Sequence, residues 1–99
     1  MAKLPAFQFY PGDWMKDPSL RSCSYAARGL WTDMLCLMFE NDRRGYLQLN
    51  GNPVSTAALA RMTGGAEEEV SRLLQELESS GVFSRTAHGM IYSRRQVRD

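Results

Sequence analysis

Cysteine is scarce in this chain: Cys23 and Cys36 are the only two. If Ser24 to Glu40 forms a helix, the pair is roughly 20 Å apart at ~1.5 Å rise per residue, too far for a disulfide. Two reduced thiols fit a cytoplasmic protein. No apolar run reaches the ~18 residues of a membrane span. The opening Met1-Ala2-Lys3-Leu4-Pro5 lacks the apolar stretch of a signal peptide. Histidine occurs once, as His88. With no second histidine and no paired cysteine motif, no metal site is expected. Asp13, Asp17, Asp33 and Asp42 show no paired spacing on one face, and Gly64-Gly65 lacks the Lys-Ser/Thr of a phosphate loop. Neither thiol has a histidine close in sequence to activate it. These absences predict no catalytic residue, no cofactor and no enzyme. Charge of one sign is lacking too. Twelve Lys/Arg against eleven Asp/Glu give +1, so any electrostatic footprint must come from arrangement.

What is present is a core. Hydrophobic residues make up 43% of 99 residues, enough for one domain. The first twenty residues read as an irregular arm carrying Phe7, Phe9, Tyr10 and Trp14, folded back over that core. Pro11-Gly12 suits the centre of a type II turn. Asp17-Pro18 suits the start of a short helical turn over 18–21. Ser24 caps a first long helix over 25–40, with Ala27, Leu30, Trp31, Met34, Leu37 and Met38 at helical spacing. Tyr46-Leu47-Gln48-Leu49 alternates as a short strand, and Asn50-Gly51-Asn52-Pro53 is a turn. Ser55 caps a second helix over 56–62 with Ala58, Leu59 and Met62 inward. After Thr63-Gly64-Gly65, a third helix over 66–80 turns Val70, Leu73, Leu74 and Leu77 to the core and stops at Gly81. Residues 82–86 and 90–93 form a hairpin around Ala87-His88-Gly89. A basic tail, 94–99, closes the chain and leaves room for further domains after Asp99.

Helix, short strand, helix, tight turn, helix, hairpin is the order of an α+β winged helix-turn-helix. The domain would run over 1–99, with an arm over 1–23 and a core over 24–93. In it the 46–49 strand joins the hairpin in a three-stranded sheet, and the hairpin is the wing. Another small α+β packing of the same elements is the alternative. Trp31, Leu59, Leu73 and Phe83 are expected to meet in one interior.

The stretch Phe9-Tyr10-Pro11-Gly12-Asp13-Trp14, then Asp17-Pro18, Arg21-Ser22-Cys23-Ser24 and Ala26-Ala27-Arg28-Gly29-Leu30-Trp31, resembles the N-terminal domain of phage and prophage replication-initiation (replisome organiser) proteins. Gly81-Val82-Phe83-Ser84-Arg85 through Ile91-Tyr92-Ser93-Arg94-Arg95 is similar to the wing of the same group. The resemblance implies origin recognition or assembly of a replication complex, with further domains following in full-length relatives.

In a winged helix that binds double-stranded DNA, the third helix enters the major groove. Its outer face carries Glu68, Ser71, Arg72, Gln75 and Ser79. Arg72 suits a guanine edge and Gln75 an adenine edge. Glu67, Glu68 and Glu69 suit the positive end of the helix dipole but repel phosphates. Arg85, His88, Arg94, Arg95 and Arg98 form a basic wing and tail, to which Arg43, Arg44 and Arg61 could add. Two functions stay open: a DNA-binding module, and a protein–protein module in a replication or regulatory complex. Self-association through the aromatic arm is a further expectation.

Overall fold

The computed structural model describes residues 8–98; the packing expected of Phe7 falls outside them. Two short helices open the described chain, α1 (Pro11–Lys16) and α2 (Pro18–Arg21). Pro11-Gly12 is therefore the first turn of a helix and not a type II turn. The proline φ that suits the turn suits the first helical position equally, and the Trp14 N–H donates to the Tyr10 carbonyl at 3.0 Å to close it. Asp17 caps α2 as its sequence predicts, its Oδ1 accepting from the Ser19 and Leu20 amides at 2.9 and 3.4 Å.

Three longer helices make the body: α3 (Tyr25–Glu40), α4 (Thr56–Thr63) and α5 (Glu67–Ser79). Ser24 and Ser55 cap α3 and α4, their hydroxyls accepting from Ala27 and Ala58 amides at 3.1 Å. α5 packs against both α3 and α4. It buries Val70, Leu73, Leu74 and Leu77, the stripe its spacing predicts. Past its end Gly81 adopts φ +76°, and the Val82 amide reaches back to the Leu77 carbonyl at 3.0 Å. In α4 only Ala58, Leu59 and Ala60 are buried, and Met62 is exposed. The inward placement expected of Met62 is corrected: the last turn of α4 runs clear of the core.

The sheet differs from expectation. The described strands form two separate two-stranded hairpins, β1 (Gln48–Leu49) with β2 (Asn52–Pro53), and β3 (Ser84–Arg85) with β4 (Ile91–Tyr92). The 46–49 segment turns back on itself at Asn50-Gly51 instead of running on beside the second hairpin. Only its first residues reach β4. Tyr46 bridges Tyr92, the Leu47 amide donates to the Ile91 carbonyl at 2.9 Å, and the Ser93 amide donates to Gly45 at 2.8 Å. Residues 94–98, expected as a tail, are a short helix, α6 (Arg94–Arg98). Serine at 93 explains the start: its hydroxyl accepts from the Gln96 amide at 3.3 Å. The Gln96 side-chain amide then donates to the Leu35 carbonyl of α3 at 3.2 Å.

One apolar cluster unites the elements. Trp31, Leu59, Leu73 and Phe83 all belong to it, and the Trp31 and Phe83 rings stack 6.0 Å apart. Met34, Met38, Leu59 and Leu77 are its most enclosed large side chains. The result is an α+β fold with six helices and two small hairpins among the described residues. Cys23 is buried, Cys36 is exposed, and both are free. No described helix is long and apolar enough to cross a membrane.

Candidate binding surfaces

The predicted DNA-contact residues separate into two groups. Ser71, Arg72 and Gln75 are exposed on α5, Arg61 is exposed in the last turn of α4, and His88 is exposed at the β3–β4 turn. These five keep their polar groups in solvent. Their neighbour on α5 is the acidic first turn, Glu67, Glu68 and Glu69, also exposed.

The other three are engaged with the fold. Arg85 forms a two-pronged pair with Glu78, Nε to Oε2 at 2.9 Å and an Nη2 to Oε1 bond at 3.0 Å, and its Nη1 donates to the Gly89 carbonyl. Arg85 therefore braces the hairpin against the end of α5. The same bonds hold the Glu78 carboxyl below the ordinary glutamate value, chiefly through the hydrogen bond from Arg85. Arg94 donates to the Ser84 hydroxyl at 2.7 Å and the Gly81 carbonyl at 2.9 Å. Arg95 pairs with Asp13 of α1 at 2.6 Å and lies over the Tyr10 ring at 5.3 Å. The basic wing and tail expected from the sequence are thus interrupted: Arg85 meets a carboxylate, and Arg94 and Arg95 turn toward the body.

That second group defines a surface the sequence did not reveal. α1, α2, α3 and α6 enclose a cleft of about 650 Å³. Its apolar wall includes Trp14, Leu20, Trp31, Leu35 and Phe39; Phe9, Tyr10, Arg44, Arg94, Arg95 and Arg98 also line it. Phe9 meets Trp14 with ring centroids 5.6 Å apart, and the Arg44 guanidinium sits 4.1 Å from the Phe39 ring centre. The aromatic arm had been singled out by composition. Its pairing with the C-terminal arginines had no local signal, because Asp13 and Arg95 are 82 residues apart in sequence. Among the described residues, no group of three His, Cys, Asp or Glu side chains is placed to hold a metal ion. Compared with family models, with curated proteins and with solved structures, the chain matches none.

Proposed function

We propose that the chain is a winged-helix module that binds double-stranded DNA within a replication-initiation protein of phage or prophage type. The observation that carries the reading is the pair α4–α5, joined through Gly64-Gly65, with Arg61, Ser71, Arg72 and Gln75 all turned to solvent. A hairpin follows at once with His88 at its tip. In such a pair the second helix lies in the major groove and the hairpin flanks it. Arg72 is suited to guanine, Gln75 to adenine, and Arg61 and His88 to backbone phosphate. The replication setting rests on the resemblance of Phe9-Tyr10-Pro11-Gly12-Asp13-Trp14 and the segments after it.

A gel-shift series on a duplex at rising salt tests the reading. Binding at low salt should weaken as salt rises, and Arg72→Ala should cost about 1–3 kcal/mol and relax sequence preference. Absence of any shift at low salt overturns it. Arg61 and Arg72 are the variants of choice, because Arg85 and Arg94 hold contacts within the fold.

A second reading, a protein–protein module of the same fold in a replication or regulatory complex, has its own support. Three exposed glutamates open α5, and the hairpin arginine is neutralised by Glu78. Duplex affinity unchanged by Arg61→Ala and Arg72→Ala together would favour that reading.

A further inference from the structure

The cleft between the N-terminal helices and α6 differs in charge from the molecule around it. Five cations, Lys16, Arg44, Arg94, Arg95 and Arg98, line it against two carboxylates, Asp13 and Asp17. That is +3 in a chain whose total is +1. Among the described residues Lys16 and Arg98 have no ion-pair or hydrogen-bond partner, and Arg44 makes only its contact with the Phe39 ring face. A guanidinium stacked in this way keeps its in-plane N–H donors for a phosphate. Beside these cations stand aromatic rings that the fold leaves about half-exposed: Phe9, packed against Trp14, is 54% exposed, and Tyr10, contacted by Arg95, 46%. Gln96 supplies a further polar group in the wall, with a buried Oε1 that lacks a partner among the described residues.

From this juxtaposition we propose that the cleft binds a nucleotide unit, its base against the Phe9 and Tyr10 rings and its phosphate at Arg44 and Arg98. A volume of about 650 Å³ falls within the ordinary size of small-ligand sites. Cationic grooves that carry exposed aromatic rings are the usual platform for single strands, since every base has a face to stack. An acidic peptide without aromatic residues would satisfy the arginines but would not supply planar rings to stack on Phe9 and Tyr10. The unit can come from a free nucleotide or from a single strand threading the cleft. Neither route uses α5.

The two tryptophans of the chain, Trp14 and Trp31, both line this cleft, so their emission reports its occupancy. The full chain is titrated with thymidine monophosphate and, separately, with an oligothymidylate of about twelve nucleotides, long enough to span one such groove. Quenching by the mononucleotide identifies a free-nucleotide site. Quenching by the oligomer alone identifies a strand site. Tyr10→Ala should weaken binding about tenfold, as loss of one stacking ring does. Arg44→Ala with Arg98→Ala should lower the log–log salt slope for the oligomer by about 1.4. Circular dichroism confirms that these surface variants remain folded. Arg61→Ala and Arg72→Ala should leave the signal unchanged, so this site and the α5 surface fail separately. The proposal is overturned if neither probe quenches, if poly-glutamate quenches as well as the oligomer, or if the Tyr10 and Arg44/Arg98 variants bind like the unaltered chain.

Discussion

Glu78 and Arg85 are both partly exposed, with side-chain exposures of 47% and 39%. Their two-pronged geometry lowers the carboxyl's proton affinity in the folded state. The stability it contributes is therefore present above the ordinary glutamate value. It is lost as pH falls through the lowered one. Solvent screening limits it to about 0–1 kcal/mol. Glu78→Gln should remove that part of the acid-side fall in Tm and change Tm little below the transition, as thermal melts across the acid range would show. Two glycines give opposite expectations. Gly29 lies mid-helix on the exposed side of α3, where an added Cβ meets nothing within 4 Å, so Gly29→Ala should stabilise by about 0.5–1 kcal/mol. Gly45 has φ +92°, and a Cβ there would come within 2.7 Å of Val97 Cγ2 and 2.9 Å of the Val97 backbone nitrogen. Gly45→Ala should destabilise by more than about 1 kcal/mol. Adding Val97→Ala should not restore it, because the backbone contact and the φ remain. Urea denaturation of the three variants checks all of this.

At the scale of elements, the long helices were legible because their signals are local. Ser24 and Ser55 sit one residue before apolar periodicity begins, and Gly81 sits just past where it ends. The short elements were less so. Pro11 opens a turn or a helix with the same φ, and nothing within 94–98 announces a helix that is held by Leu35, Asp13 and Gly81 from elsewhere. The expected three-stranded sheet gave way to two hairpins for a related reason: which neighbour the 46–49 segment pairs with depends on the tightness of Asn50-Gly51, where Asn50 takes φ +53°. The α3 cap shows how tertiary context alters a local rule. The Ser24 hydroxyl and amide both donate to the Glu76 carboxylate of α5, joining the two helices at their ends. Aspartate is ordinarily as good a cap as serine. Here Ser24→Asp should instead destabilise, by bringing a second carboxylate against Glu76, and Glu76→Gln in that background should recover part of the loss. A double-mutant cycle in urea measures the coupling.

For the molecule as a whole, the arrangement of charge could not be derived from its amounts. The cationic C-terminal residues look like a wing in sequence, yet the fold gives Arg85 to Glu78 and Arg95 to Asp13. Residues 11–16 and 94–98 close the described chain upon itself. Removing residues 94–99 deletes the bonds to Gly81, Asp13 and Leu35 together. It should lower the denaturation midpoint and shift tryptophan emission to the red, since Trp14 and Trp31 share the wall that α6 completes. Retention of both the midpoint and the emission maximum would show that α6 contributes no such support. The unequal burial of the two thiols has a practical consequence at this scale. A maleimide should attach at Cys36 in the native protein at once. It should reach Cys23 only when the body opens, so the rate of the second alkylation clocks how often the folded molecule comes apart.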